Sequence, residues 1–272
     1  MPDAEAFETG FGRYSAQRHE GQARGIEVAE SLVEETPVAL NYNEQPHAVM
    51  LATPTDIEDF AVGFSLTEGI VASAGEIGAV DVIPSRHGVS VMLSIPEARA
   101  QKLAAMRRSL PGMGGCGLCG VENLEAALRR PAPVRRDLRL TASAISGACE
   151  SLPVLQTLGA RTGASHAAAF VRADGTVEAV REDAARHNAL DKLVGHLART
   201  DVAVRGGFVL LTSRASYELV QKAASAGFEA LVAVSAPTGL AVRLAQATGL
   251  TLIGFARDGR FTCYANDFRV TG

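Results

Sequence analysis

Cysteine is scarce in this chain: Cys116, Cys119, Cys149 and Cys263 are the only four in 272 residues. Only the first two are closely spaced, so no second CxxC completes a ribbon-type zinc site. An excess of positive charge is also missing. With 26 Lys and Arg against 30 Asp and Glu, the formal charge is −4. That argues against a general binder of nucleic-acid backbone, whose affinity comes from clustered cations, and leaves room for a local basic pocket that takes a small anionic ligand. No apolar run approaches the ~18 residues of a transmembrane helix, and the polar, acidic first twenty residues read as neither a secretory signal nor a membrane span. No nucleic-acid or membrane partner is expected, and the expected location is cytoplasmic, where thiols stay reduced. The chain has no solenoid-length repeat and no low-complexity tract.

What is present suffices for a substantial core, with 47% hydrophobic and 21% charged residues. Residues 1–23 are expected to form a flexible tail. From Arg24 to Ala52 short strands are expected, with turn chemistry at Asn41, Asn43 and Pro46. A helix follows in DIEDFAVGFSLTEG, with Asp56 as cap and Gly69 as stop. Strand-like runs lie around Ile77 to Ile83 and Val89 to Ile95, then a helix from Glu97 to Arg108. A glycine-rich loop carries the CxxC into a second helix, ENLEAALRR, whose charges complement its dipole. Pro131 to Leu140 reads as a linker, and Thr141 as the cap of a helix reaching Glu150. A hairpin turning at Asp174 and Gly175 follows, and after it helices alternate with apolar strands to the end. The expected class is α/β, because such alternation implies a sheet covered by helices. Two domains are expected: a smaller N-terminal α+β region over 24–137, ending in the CxxC loop and its helix, and a C-terminal α/β sheet domain over 138–272.

Four stretches offer chemistry. In MGGCGLCGVENLEAAL, Cys116 and Cys119 precede a helix N-terminus, whose unsatisfied N–H groups favour thiolate. The surrounding glycines allow close approach of backbone to a ligand and a change of loop position. A sulfur nucleophile, half a zinc site and thiols in a tight turn all fit these residues. His166 in RTGASHAAAF stands before a strand, where it lines a sheet end or is satisfied by backbone. Zinc deaminases place HxE beside a CxxC, with Glu as proton shuttle. Here the positions are His166, Ala167 and Ala168, which removes the acid and argues against deamination.

REDAARHNALDKLVG concentrates polar groups. Asn188 is able to read a base amide, Lys192 a phosphate, and Asp191 to accept from guanine N–H groups. Equally, His187 with Asp191 and Asn188 with Lys192 form i,i+4 pairs on a solvated helical face. SRASYEL and SAPTGLAV read as capped helix starts. GFARDGRF is either a plain hairpin turn or a clamp in which Arg257 and Arg260 grip phosphates.

In order along the chain, AVGFSLTEGI, GGCGLCG, TGASHAAAF, EDAARHNALDKLVG, SRASYELVQKAA, SAPTGLAV and GFARDGR resemble the formate dehydrogenase accessory sulfurtransferase family, from near Arg24 to the end. The resemblance implies a sulfurtransferase that takes sulfur from a cysteine desulfurase as a cysteine persulfide. It passes that sulfur to the molybdenum or tungsten bis(molybdopterin guanine dinucleotide) cofactor, as formate dehydrogenase requires for activity. Cys116 is then the persulfide carrier and Cys119 its partner. Phe255, Ala256, Arg257, Asp258, Gly259 and Arg260 match the cofactor-binding segment. His166, His187, Asn188, Asp191 and Lys192 are candidates for the same ligand, and a guanine nucleotide is able to occupy the same site. The resemblance further implies a homodimer and a C-terminal domain similar to cytidine deaminases without their zinc. A cofactor-binding chaperone that makes no covalent sulfur transfer is the alternative. The chain departs from the family at Gly163, Ala164 and Ser165 before the histidine, at Ala184 and Ala185 before Arg-His-Asn, and at the methionine and glycines before Cys116.

Overall fold

The computed structural model describes residues 8–21, 25–108 and 131–271. Its N-terminal half is built on a four-stranded sheet of β3 (Thr36–Tyr42), β4 (Gln45–Ala52), β5 (Val80–Ser85) and β6 (Gly88–Leu93). The spatial order is β4-β3-β6-β5, and only the β3/β6 pair is parallel. Alternate residues Val38, Leu40, Tyr42, Val89, Val91 and Leu93 point to one face and are buried there. Against that face packs α1 (Ile57–Thr67), through Ile57, Phe60, Ala61 and Phe64. The helix α2 (Glu97–Arg108) adds Ala100 and Leu103 to the same core.

The C-terminal half carries a six-stranded sheet: β8 (His166–Arg172), β9 (Val177–Asp183), β10 (Gly207–Leu211), β11 (Ala230–Ala233), β12 (Thr251–Arg257) and β13 (Arg260–Ala265). Their order is β13-β12-β11-β10-β8-β9, with β10, β11 and β12 parallel and β8 and β13 reversed. The central strands are buried on both faces, which explains why GFVLL and ALVA read as unbroken apolar runs. One face is covered by α5 (Arg186–Arg199), α6 (Tyr217–Ser225) and α7 (Gly239–Thr248). The other is covered by α3 (Ala142–Leu155), which buries Ile145, Ala148 and Leu152. The short α4 (Thr157–Thr162) follows it. A two-residue strand β7 (Leu140–Thr141) pairs with the C-terminal β14 (Val270–Thr271).

The two halves meet where α1 crosses α5 in antiparallel sense. Three levels of contact, each one helical turn apart, line the seam. Arg199 donates to Asp59 at one end, and Thr67 donates to Asp191 at 2.6 Å at the other. Between them Gly63 and Gly195 touch backbone to backbone. A Cβ on Gly63 would lie 1.7 Å from the Asp191 carbonyl oxygen, and one on Gly195 would lie 1.8 Å from that of Asp59. Residues i, i+4 and i+8 share one helix face, so Asp59, Gly63 and Thr67 form a stripe facing Asp191, Gly195 and Arg199.

Several expectations change. The first 23 residues are not a tail throughout, since β1 (Phe11–Arg18) pairs antiparallel with β2 (Ile26–Val33). Polar cross-strand pairs hold that ribbon, among them Ser15 to Glu27 and Arg18 to Glu30, both at 2.6 Å. No apolar alternation announces β1 in the sequence, whereas β2 falls within the stretch from Arg24 to Ala52 where short strands are expected. Residues 1–7 and the boundary at 23/24 lie outside the described residues. Asp56 does not cap α1 with its side chain; its φ is 53° and its carboxylate sits 3.6 Å from Arg181. The β3–β4 turn falls on Asn43 and Glu44, both at positive φ, while Asn41 and Pro46 stay within strands. Thr141 caps α3 as expected, accepting from the Ala144 N–H, but the helix runs on through Pro153 to Leu155. The CxxC loop and the ENLEAALRR helix lie outside the described residues.

The glycine crossing gives a stability prediction. Gly63→Ala or Gly195→Ala must push backbones apart and should cost at least ~1–3 kcal/mol. Gly147→Ala on the exposed side of α3, with nothing within 4 Å of the added carbon, should instead gain about 0.5–1 kcal/mol of helix propensity. Chemical denaturation midpoints of the three variants check both signs.

Candidate functional site

In the six-stranded sheet β9, β10, β11 and β12 all end at the same edge, and the reversed β8 begins there. The register sets Leu211 opposite Ala168 and Asp183 opposite His166, so His166 stands just beyond the end of β10. Chain order runs outward in both directions from the β8/β10 boundary, making this a topological switch point, where open α/β sheets bind ligands. Five connections therefore converge on one edge: the start of β8 at His166, the β9–α5 link with Arg186 and His187, Thr212 to Ser216, Val234 to Thr238, and Phe255 to Arg260. The crossovers are tied to each other as well. The Ala215 N–H donates to the Ala236 carbonyl at 3.2 Å, the Thr238 N–H to the Ala215 carbonyl at 3.0 Å, and the Phe255 N–H to the Ser235 carbonyl at 3.2 Å.

On the α3 side of this edge opens a cavity of about 450 Å³. Cys149, Thr212, Val234, Arg257, Arg260 and Phe261 are among its lining residues. Arg257, Arg260, Phe255 and Phe261 also line a second hollow of about 250 Å³. The β12–β13 hairpin thus forms a wall between two recesses, with two guanidiniums on it. Its tip is conformationally unusual: Phe255 at φ 52° and Asp258 at φ 53° both adopt the left-handed region, next to Gly259 at 69°. For a bulky aromatic that backbone is an outlier, held by the Ser235 bond and by a bulge between Gly254 and Arg257. The consequence is a Phe255 ring that remains 40% exposed beside the arginines. Burial, with Glu150 adding to it, pushes the Cys149 thiol up to about 11, which keeps it protonated at neutral pH and poorly nucleophilic.

On the α5 and α6 side of the same edge, His187 Nε2 lies 2.6 Å from a Glu218 carboxylate oxygen. That close contact with His187 holds Glu218 below the usual carboxylate range despite partial burial. Burial, and then the neighbouring Arg186 and His187 charges, hold the His166 imidazole below its ordinary value. Among the described residues, the Nε of Arg186 and the Oγ of Ser216 are buried with no hydrogen-bond partner. Ser216 gives α6 no side-chain cap, whereas Thr238 caps α7 by accepting from the Ala241 N–H. The edge collects donors and cations, a setting that suits an anionic ligand.

The structure separates the remaining candidates from this edge. Lys192 is wholly buried, and its Nζ contacts Asp183 Oδ2 at 2.8 Å, the Thr53 carbonyl at 3.0 Å and that of Glu182 at 3.2 Å. Asn188 Nδ2 donates to the Leu51 carbonyl at 2.7 Å and to Asp183 at 3.1 Å. Asp191 accepts from Thr67 and from Lys222, the latter at 2.9 Å and 3.0 Å. All three side chains face the N-terminal half. Neither a base-reading set nor a solvated face of i,i+4 pairs describes them, because their polar atoms are engaged in joining the two halves. Cys116 and Cys119 lie outside the described residues.

Sequence reasoning counts Arg186 among the concentrated polar groups of REDAARHNALDKLVG without giving it a role, and it passed over Glu218 and Cys149 as site residues. Glu218 was visible only as a first-turn acid of α6, and the isolated Cys149 carries no motif. Nothing in the local sequence signals that either one meets the sheet edge.

Two outcomes test this division. Lys192→Met leaves Asp183 buried without its cation and should cost ~3–5 kcal/mol of stability, measured by denaturation, where a ligand-contact role would leave stability nearly unchanged. The folded protein takes up the His166 proton at lower pH than the unfolded chain does. Stability should therefore be complete above the ordinary histidine value of 6.5 and fall as pH drops below it. Thermal melts of His166→Gln should show a shallower loss between neutral and mildly acidic pH; His196, also held low by burial, accounts for part of the remainder.

The model of the FdhD/NarQ family matches residues 33–271. A protein named sulfur carrier protein FdhD from Cupriavidus necator is 52% identical over 241 residues, covering 89% of this chain and 84% of that one. One of the same name from Xanthomonas campestris is 48% identical over 256 residues, covering 94% and 91%. A crystal structure described as a formate dehydrogenase accessory protein from Desulfotalea psychrophila superposes with a TM-score of 0.77 at 21% identity, covering 96% of this chain and 100% of the other. That likeness extends the shared fold. By its sequence, this chain belongs to the FdhD/NarQ family.

Proposed function

We propose that this protein is a sulfurtransferase that carries sulfur for the maturation of formate dehydrogenase. The observation that carries the reading is its close relation, at 52% and 48% identity over most of the chain, to proteins named as sulfur carriers. The sheet edge supports it by offering a recess with Arg257, Arg260 and an exposed aromatic ring, suited to a phosphate-bearing, ring-containing acceptor. The substrate in this reading is molybdenum or tungsten bis(molybdopterin guanine dinucleotide). One nucleotide arm enters the 450 Å³ cavity, and its phosphates meet the two arginines. The five connections at that edge fall in family-like segments, and the sheet beneath them is taken as the cytidine-deaminase-like domain that the resemblance implies. Ala168, wholly buried in β8, supplies no proton shuttle.

The chemistry belongs to Cys116. Its thiolate attacks the terminal sulfur of a cysteine desulfurase persulfide, forming a new S–S bond as the old one breaks and the desulfurase thiolate departs. Delivery of that sulfur at the sulfide level needs two electrons. Cys119 supplies them by attacking Cys116 Sγ, which forms a disulfide and releases hydrosulfide to the metal. A thiol reductant then restores the dithiol. Transfer from a cytosolic desulfurase makes the cytoplasm the place of action.

The test uses the desulfurase with isotopically labelled cysteine, followed by peptide mapping. Label should appear on Cys116 in the wild type and be absent from Cys116→Ala, and formate dehydrogenase from cells with that variant should lack its terminal sulfur. Fully sulfurated, active enzyme from Cys116→Ala cells would instead favour a chaperone that binds the cofactor without covalent transfer. Arg257→Ala with Arg260→Ala should weaken cofactor binding under both.

A further inference from the structure

The corner of the sheet edge between α5 and α6 holds side chains that neither the core nor the β12–β13 hairpin uses. Among the described residues, Arg186 Nε, His187 Nε2 and Ser216 Oγ are all buried there with no hydrogen-bond partner. Arg186 and His187 open α5, and Ser216 stands immediately before α6 without capping it. His187 brings the two helix starts together. Its Nε2 lies 2.6 Å from a carboxylate oxygen of Glu218, two residues beyond Ser216, but is not aligned for a hydrogen bond. His166, at the start of β8, is near enough for the Arg186 and His187 charges to act on it, and the Arg186 charge acts on Glu218 as well.

Buried donors without partners are rare in folded proteins, and each one calls for an occupant. Here three gather at one corner, and one of them belongs to a guanidinium. Among the described residues no ion pair takes up the Arg186 charge. A guanidinium N–H, an imidazole N–H and a hydroxyl are all able to donate, and donors of this kind brought from separate elements suit an oxyanion with oxygens on every side. Glu218 adds discrimination. An ionised carboxylate only accepts hydrogen bonds, so it repels a fully deprotonated anion and favours one that brings a proton. A phosphate group titrates near neutral pH and is able to bring that proton, whereas sulfate carries none.

We propose that this corner is a phosphate-binding site, in which Arg186, His187 and Ser216 donate to the phosphate oxygens and Glu218 accepts from the phosphate hydroxyl. Its ligand is a terminal phosphate, free or at the end of a phosphomonoester, because the internal diphosphate bridge of a dinucleotide has no hydroxyl to offer Glu218. The site lies on the α5 and α6 side of the sheet edge, whereas the cavity lined by Arg257 and Arg260 opens on the α3 side. It does not depend on the sulfur-transfer reading.

Titration of the full chain, followed through the imidazole NMR signals of His166 and His187, tests it. Inorganic phosphate should move both signals saturably at millimolar concentration or below, and sulfate should need at least about tenfold more. Arg186→Gln should raise the phosphate dissociation constant roughly tenfold, and Ser216→Ala about threefold or more. Arg257→Ala with Arg260→Ala should leave it within about twofold. Glu218→Gln should bring sulfate and phosphate closer together. An unpartnered buried donor does not stabilise the free fold, so without ligand Ser216→Ala should melt at or above the wild-type temperature. Phosphate should then raise the melting temperature of the wild type more than that of the variant. Guanosine monophosphate titrated in parallel identifies the source: tighter binding than inorganic phosphate assigns the site to a phosphomonoester, and weaker binding assigns it to the free ion. Imidazole signals that ignore phosphate overturn the proposal. Equal affinity for sulfate, or a phosphate affinity unchanged by both Arg186→Gln and Ser216→Ala, overturns it too.

Discussion

The contact between Gly63 and Gly195 sets the architecture of this protein. Two helices from opposite halves approach until backbone touches backbone, and that proximity lets the groups one turn away reach each other. Asp59 meets Arg199 above the crossing, and Thr67 meets Asp191 below it. Arg181 joins the upper level through Asp59 at 2.8 Å, and Lys222 joins the lower one through Asp191. With a side chain at either glycine, the halves would stand further apart and these buried charges would lose their partners. Desolvated charges without partners are among the most destabilising features a fold can contain. The close approach and the ion pairs therefore require each other.

A second cluster beside the crossing fixes orientation. Asp183, at the end of β9, accepts from the Thr53 N–H at 2.9 Å, from the Ala185 N–H at 2.8 Å, from Asn188 and from Lys192. Its neighbour Glu182 accepts from the N–H groups of Leu158 and Gly159, both at 2.8 Å, and so satisfies the start of α4. Two adjacent acids at one strand end thus join the N-terminal sheet, α5 and α4. The same strand end borders His166. The sheet edge is consequently held by groups that never need to meet a ligand.

Much of this was legible in the sequence and some was not, for reasons of range. The apolar strands of the larger sheet, the helices between them and the Asp174–Gly175 turn are announced by local periodicity and turn residues, and they stand where expected. Of the β1–β2 ribbon, β2 lies in the stretch expected to form strands, while β1 carries polar cross-strand partners and no apolar alternation to read. Asn188, Asp191 and Lys192 were rightly singled out as concentrated polarity. Their partners Leu51, Thr67 and Thr53 lie more than a hundred residues away, and no local pattern connects them. The stripes Asp59-Gly63-Thr67 and Asp191-Gly195-Arg199 are plain in retrospect, but each acquires meaning only beside the other. The segment Phe255 to Arg260 forms a hairpin turn, and within it Arg257 and Arg260 line both recesses. Cys116 and Cys119 lie outside the described residues.

Helix α6 is committed at two successive turns. At its first turn Glu218 pairs with His187 at the sheet edge, and one turn later Lys222 reaches Glu68, Thr67 and Asp191 at the seam between the halves. Four positions, about one turn, separate the two contacts, and an α-helix transmits displacement along its axis with little compression. The helix acts as a strut, and the rigidity of the edge is borrowed from the seam. A ligand arriving at His187 would press against the same member that locks the N-terminal half in place.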